Sequence, residues 1–431
     1  ILHLTLQPSL LTSLRRLPTN PASSTTMEKP SIAFGTASEA PSSSSFSAPA
    51  GACAESSSTP LSEQVPKELL EVTALIPSVA NPQGRPDFMK IVDEFGCSLL
   101  ERHHIQRIER LTGLPVPPLL RREIFFSHRD FDEILRVAES GEKFYIYTGR
   151  GPSAGSLHLG HLVPFMFVQY LQQAFDVPVV VQMTTDEKFL NNPHLTMDEI
   201  LEMNRQNVHD ILAVGLNPEK TFIFANTDFI DQMFPTVLQI QRRITVKECM
   251  SVFGMDQRSS IGSMSFPAMQ AAPSFPCLFR GNAFPSDVSD SMRCLIVCGI
   301  DQDPYFRLTR DVAPKLGFKK PCMLHSRFIP SLQGVQNKMS SSSPETAIFL
   351  SDSPDQIKTK IMKQAFSGGR ATAAEQRIHG ADLSIDVPFH YLQAFLTDDE
   401  ELEQIRQDYS SGKLLTGHVK QRLVALIVEL V

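Results

Sequence analysis

Residues 144–162 read FYIYTGRGPSAGSLHLGHL. The first five form a short aromatic and β-branched run with the length of a buried strand. A loop rich in glycine follows, and from about residue 158 to 175 the chain is an apolar helix. Strand, irregular loop and helix in this order make a phosphate cradle in open α/β folds. The loop has two readings. Gly149-Arg150-Gly151-x-x-Ala154 has the spacing of a dinucleotide fingerprint, with Asp176 about twenty residues on. Pro152 and Gly155 oppose that reading, because they keep the chain irregular where the fingerprint begins its helix. The second reading starts the helix near His158, which keeps Pro164 close to the first turn, where proline is tolerated. His158 and His161 then stand with backbone N–H groups at the positive end of the helix dipole, facing an anion. Gly160 lacks a side chain, so a flat base has room against its backbone. The plain alternative is a pair of surface histidines.

Outward from this stretch, strand-length apolar runs recur at 177–183 (VPVVVQM), 220–226 (KTFIFAN), 294–300 (CLIVCGI) and 321–328 (PCMLHSRF). Helical stretches lie at 196–213 and near 304–316. The first of these opens with Thr196-x-x-Glu199, a capping box, and Gly215 sits just past its end. The alternation predicts an α/β fold: a Rossmann-like parallel sheet with helices on both faces, spanning 144–350. Residues 228–293 break the alternation and read as an insertion. Residues 88–112 read as one amphipathic helix, within an N-terminal helical extension over 61–143. After 350 the pattern is helical only, which predicts an all-helical C-terminal domain over 351–431.

Composition narrows the function classes. The chain has 431 residues, 40 Lys plus Arg against 47 Asp plus Glu, and a net charge of −7. A generally basic nucleic-acid binder is excluded, so a polyanion must meet a local patch. No apolar run approaches the length that spans a bilayer. Seven cysteines lie scattered without a CxxC pair, which fits a reducing compartment and neither a disulfide framework nor a zinc knuckle. The first sixty residues hold six charged side chains and much Ser, Pro, Ala and Gly, and read as a disordered leader. The stretch 1–27 reads either as a transit peptide or as sequence upstream of a start at Met27.

A second loop, Gln336-Asn337-Lys338-Met339-Ser340-Ser341-Ser342, follows the last strand-length run. Ligands of open α/β sheets bind at the carboxyl ends of strands. A mobile lysine there can close on a phosphate as charge builds up on it. Two other patterns carry no such weight. His128-Arg129-Asp130 mimics a kinase catalytic loop without its companion motifs. Cys294 and Cys298 share one face of a strand and read as core thiols.

Together, HLGH and KMSSS resemble the two signature motifs of class I aminoacyl-tRNA synthetases. RREIFFSHRD (121–130), YTGRGPS (147–153), QMTTDEK (182–188), SFPAMQAAPSF (265–275), GIDQDPYFRLTRDVAP (299–314) and LHSRFIPSLQGVQNKMSSS (324–342) resemble the tryptophanyl-tRNA synthetase family of eukaryotic type, over roughly 88–431. Three positions depart from the pattern: Thr185 where Asp is expected, Glu123 where Gly is expected, and Ser341 where Ala is common. The family implies tryptophan activation by ATP, then transfer to the terminal ribose of tRNA(Trp), by a cytoplasmic homodimer with no membrane attachment. It implies that His158 and His161 hold ATP phosphates. Lys338 neutralises the departing pyrophosphate with Arg150 and Lys188, while Gly160, Met339 and Ser340 complete the ATP site. Asp301 would accept from ribose hydroxyls, and Mg²⁺ would be bound mainly through ATP, with no protein metal site. Tyr147 and Gln182 match positions pairing with the indole N–H. Glu187, Gln270 and Gln302 match positions handling the ammonium and carboxylate, and Phe266 is a candidate apolar wall. The C-terminal domain is expected to bind the tRNA anticodon, with Lys358, Lys360, Lys363 and Arg370 as candidate phosphate contacts. The family usually continues by a few helical turns beyond Val431, which reads as a truncation. The alternative is therefore a catalytically weakened fragment acting as a binding module.

Overall fold

The structure is a computed structural model that describes residues 88–279 and 291–431. The expected disordered leader lies outside the described residues. In chain order, α1 (Phe88–Phe95), β1 (Ser98–Leu99), α2 (Arg102–Thr112), α3 (Pro118–Arg121), β2 (Phe125–Arg129) and α4 (Phe131–Glu139) precede the first parallel strand, β3 (Phe144–Arg150). Then come α5 (Leu159–Phe175), β4 (Val179–Met183), α6 (Thr185–Asn191), α7 (Met197–Ala213) and β5 (Thr221–Ala225). Helices α8 (Asn226–Gln241), α9 (Val246–Phe253) and α10 (Ile261–Ala271) stand where the alternation breaks. The sheet resumes with β6 (Arg293–Gly299), α11 (Asp303–Val312) and β7 (Cys322–Ser326). A hairpin of β8 (Pro330–Ser331) and β9 (Gly334–Lys338) follows. Helices α12 (Pro354–Gln364), α13 (Ala373–His379), α14 (Val387–Phe395), α15 (Asp399–Ser410) and α16 (Thr416–Leu430) complete the chain.

Among the described residues the main sheet has seven strands in the order β1-β2-β7-β6-β3-β4-β5. The five from β7 to β5 are parallel. Their runs are buried on both faces, which is why they read as continuous apolar stretches and not as alternating ones. The period of two still sorts side chains between two cores. Phe144 and Ile146 face one core, while Tyr145 and Tyr147 face the other, with Phe229 and Met233 of α8. Cys294 and Cys298 are buried in the second core as expected. From β3 the chain runs outward through β4 to β5, and β6 then returns to the opposite side of β3. The crevice between the carboxyl ends of β3 and β6 is a topological switch point, where such sheets bind ligands.

Several expectations need correction. Residues 88–112 are not one helix. Gly96 takes φ +64°, and Ser98 and Leu99 pair with Ser127 and His128 of β2. β2 itself pairs antiparallel with β7, so the region expected to be a helical extension supplies two strands to the sheet. Five residues with two phenylalanines carry too short a period to be separated from helix by sequence. Pro164 sits in the second turn of α5, where it leaves the Gly160 carbonyl without its helical N–H partner. The helix does begin as the second reading expects, with His158 at its N-cap and Leu159 first inside. Asp176 caps the far end of α5, before β4, with Lys143 and Lys220 as its ion partners. It is therefore at the wrong end of the strand for the dinucleotide reading, which the fold overturns.

Candidate active site

β3 delivers Arg150 to the crevice. Its Nε donates to Asn207 Oδ1 at 3.0 Å, its Nη1 lies 3.0 Å from His161 Nε2, and its Nη2 is buried with no protein partner. Burial lowers the guanidinium to about 10, which leaves it charged at neutral pH. His158 is 2% exposed and caps α5 by accepting the His161 N–H at Nδ1, 3.3 Å away. This differs from the expectation of a free backbone N–H, because the imidazole itself satisfies that donor. Its proton therefore sits on Nε2, which is buried and has no protein partner. Burial, then Arg150 and Lys338, lower His158 to about 3, so it stays neutral. Burial, then Arg150, His158, Lys338 and Lys188, hold His161 well below its ordinary value. The two rings stack with centroids 3.4 Å apart.

The second loop reaches this place. The Leu159 N–H donates to Ile348 O at 3.0 Å, and Leu350 N–H donates to Leu157 O at 2.8 Å. A Cβ added to Gly160 would lie 3.1 Å from His158 Cε1 and 3.6 Å from Met339 Cβ, so Met339 packs against that glycine. Lys338 ends β9, where a mobile loop was expected. Its Nζ is 2.9 Å from Asp301 Oδ2 and 4.8 Å from the centre of the Phe328 ring. The Asp301 carboxylate also accepts from Gln302 Nε2 at 3.3 Å. Thus Asp301, expected to face a ribose, here holds the lysine. Lys188 pairs with Glu187 at 3.1 Å, and its stem lies over Gly151, where an added Cβ would come within 2.3 Å of Lys188 Cε. Met339 is buried, and Ser340 Oγ meets Ser342 Oγ at 2.8 Å. Arg150, Lys188 and Lys338 thus place three cations around two neutral imidazoles. With the donor on His158 Nε2, the constellation fits a polyphosphate.

Beside it lies a buried polar chain. Tyr147 Oη stands 2.6 Å from Gln182 Oε1 and 2.8 Å from the Gln270 carbonyl. Gln182 Nε2 donates to Asn226 Oδ1 at 2.8 Å and to Met269 O at 2.9 Å, and Asn226 Nδ2 donates to Asp186 Oδ1 at 2.7 Å. Burial holds the Tyr147 phenol protonated by raising it well above its ordinary value. Burial also raises the Asp186 carboxyl, against the Asn226 hydrogen bond. Glu187 Oε1 accepts from Asn191 Nδ2 at 3.0 Å. Phe266 is half-buried against the core that holds Tyr147, and Gln302 points to Asp301.

Residues 139–431 match the family described as tRNA synthetases class I (W and Y). The chain belongs to this family. It is 50% identical over 354 residues to the cytoplasmic tryptophan--tRNA ligase of Dictyostelium discoideum, covering 82% of this chain and 88% of that protein. It is 48% identical to that of Arabidopsis thaliana, covering 82% and 87%. The crystal structure of tryptophanyl-tRNA synthetase from Plasmodium falciparum superposes with a TM-score of 0.74 at 45% identity, over 80% of this chain and 89% of that one. The Encephalitozoon cuniculi synthetase bound to tryptophan gives 0.73 at 39%, over 80% and 92%.

The positions departing from the class I pattern have visible consequences. Glu123 takes φ +55°, a left-handed conformation that glycine adopts freely, and its carboxylate lies 3.2 Å from Arg327. Ser341 Oγ is buried without a partner, where alanine would leave nothing unpaired. Thr185 is fully buried and meets Thr227 Oγ1 at 3.1 Å. The expected cationic cluster on the C-terminal helices divides. Lys358 and Lys363 are exposed, but Lys360 is held by Asp352 at 2.6 Å and by the Ala347 carbonyl at 2.9 Å, so it is not free for phosphate. Arg370 lines a 510 Å³ cavity with Ser367, Gln376, Thr416 and His418. Sequence reasoning missed Asn226 and Asp186. Asp186 lies within the QMTTDEK stretch, but only burial and the side-by-side carboxyl ends of the parallel strands β4 and β5 reveal their link to Gln182.

Proposed function

We propose that the chain acts as a tryptophan--tRNA ligase. Its cytoplasmic relatives carry that name over most of both chains, and we infer the same location for this protein. Among the described residues no helix is long and apolar enough to cross a membrane. The observation that carries the reading is the convergence of HLGH and KMSSS on one crevice beside the Tyr147–Gln182 pair.

In the first step a tryptophan carboxylate oxygen bonds to the α-phosphorus of ATP, the bond to the bridging oxygen breaks, and pyrophosphate leaves. Positioning and charge neutralisation drive this step more than a general base. His158 and His161 hold phosphate oxygens as neutral groups, so Arg150, Lys188 and Lys338 supply the charge. Lys338 leaves Asp301 for the pyrophosphate, which frees that carboxylate for the ribose hydroxyls. In the second step a hydroxyl of the terminal ribose attacks the tryptophanyl carbonyl, and AMP leaves. Among the described residues the groupings able to hold a metal, Cys97 with Asp303 and His325 and His103 with His104 and Asp132, include none of the side chains given to ATP, so a Mg²⁺ would be held through the ATP phosphates. That ion would offset phosphate charge. Tyr147 and Gln182 meet the indole N–H, while Glu187, Gln270 and Gln302 handle the ammonium and carboxylate. The helical region from 351 takes the tRNA anticodon stem, with Arg370 at its cavity as the contact the geometry favours. The protein pairs as a homodimer through α8, whose Ile230, Phe234 and Leu238 are exposed.

The test is exchange of labelled pyrophosphate into ATP. Exchange that depends on tryptophan, and not on tyrosine or ATP alone, is expected; its absence sinks the reading. In the same assay Lys338→Ala should lower kcat about a hundredfold with little change in substrate Kd, as for a contact made in the transition state. A matching loss of ATP affinity would count against that role.

A further inference from the structure

Gln182 and Asn226 are side-chain amides meeting in the interior, 0% and 1% exposed. An amide has a donating end and an accepting end, and its neighbours fix which end points where. Gln182 Nε2 faces two oxygens, Asn226 Oδ1 and Met269 O. Turning that amide over would set oxygen against oxygen twice. Asn226 is oriented in turn by Asp186, whose carboxylate accepts its Nδ2–H at 2.7 Å. The order Asp186, Asn226, Gln182 therefore has one polarity, and it ends with Gln182 Oε1 against Tyr147 Oη.

The consequence falls on the phenol. Tyr147 has one O–H hydrogen and two protein oxygens to receive it, Gln182 Oε1 and Gln270 O. What remains on Tyr147 for a ligand is lone pairs. Tryptophan's side chain carries one polar group, an N–H donor. We propose that Asp186 and Asn226 are positioning residues for indole recognition: they touch no substrate, but they lock the Gln182 amide so that the pocket presents acceptors to the indole N–H. This rests on the reading of Tyr147 and Gln182 as the tryptophan site.

The experiment compares two substrates in pyrophosphate exchange: tryptophan, and its benzothiophene analogue, in which sulfur replaces the N–H. The wild-type enzyme should prefer tryptophan strongly, since a site built around a hydrogen bond rejects the analogue that lacks it. Asn226→Leu keeps the branched shape and removes both the acceptor for Gln182 and the donor to Asp186. It should erase about tenfold or more of that preference, through a higher KM for tryptophan. The KM for ATP, and kcat/KM for the analogue, should stay within about twofold. Asp186→Ala, which leaves Asn226 Nδ2 without its acceptor, should shift the preference in the same direction by about threefold or more. A merely structural defect would lower both substrates together, and that result overturns the proposal. So does a preference retained in both variants; if Asn226→Leu does not fold, Asp186→Ala decides alone by the same ratio. A wild-type enzyme indifferent to the analogue would instead remove the tryptophan-site reading, and the proposal with it.

Discussion

His158 and His128 show how one residue type is tuned by the backbone it serves. Each imidazole accepts a backbone N–H at Nδ1: His158 from His161 at 3.3 Å, and His128 from Phe131 at 3.1 Å. Each is buried, and protonation at Nδ1 would break that bond while burying a charge. Burial, then Arg150 and Lys338, lower His158 to about 3; burial, then His104, lower His128 to about 4. Both folded values lie below the unfolded one, so in acid the unfolded chain binds more protons. Their contribution is complete above about pH 6.5 and is lost as pH falls toward 4 and 3. At pH 5 each should cost about 2 kcal/mol of stability. Thermal unfolding at pH 7 and pH 5 checks this, and His128→Asn, which keeps an acceptor without titrating, should remove about half of the loss. A midpoint that does not move between those two pH values would contradict the assignment.

At the scale of elements, Arg129 and Asp303 join the antiparallel edge to the crevice. Arg129 donates from Nε and Nη2 to the two oxygens of Asp303 at 2.6 and 2.8 Å, and His325 Nε2 lies 3.2 Å from the same carboxylate. Burial alone would raise Asp303, but Arg129 and His325 hold it well below the usual carboxylate range. Arg129 ends β2, and Asp303 opens α11 two residues after Asp301, so this fork ties β2 to the loop that meets Lys338. Breaking one partner of a buried pair leaves the other charge unpaired, so Asp303→Ala should cost about 3–5 kcal/mol in denaturant unfolding. A loss under about 1 kcal/mol, as for an exposed pair, would refute the link. The sequence showed the five parallel strands because doubly buried strands are apolar throughout, and it showed α7 through its capping box. It did not show β1 and β2. There Gly96 breaks a helical pattern, and pairing with β7, distant in sequence, overrides local periodicity. The same holds in the crevice: the spacing of HLGH and KMSSS was readable, but the neutral state of the histidines and the hold of Asp301 on Lys338 arise only from packing.

At the scale of the whole molecule, α8 carries an apolar face that stays exposed among the described residues. Phe229, Met233, Val237 and Ile240 are buried against the sheet. Ile230, Phe234 and Leu238 recur every four residues on another side and remain 39%, 48% and 49% exposed. An apolar stripe of this kind marks an interaction surface, and symmetric pairing of two copies is the commonest way to cover it. Placing a carboxylate at Phe234 would bury one charge from each copy at such an interface, with no cation opposite, because the stripe is apolar. Phe234→Glu should therefore sediment at the mass of one 48.0 kDa chain and not two. It should also show a thermal midpoint that no longer rises with protein concentration. A wild-type protein that sediments as a single chain at micromolar concentration, or a variant that still pairs, would rule out α8 as the dimer surface.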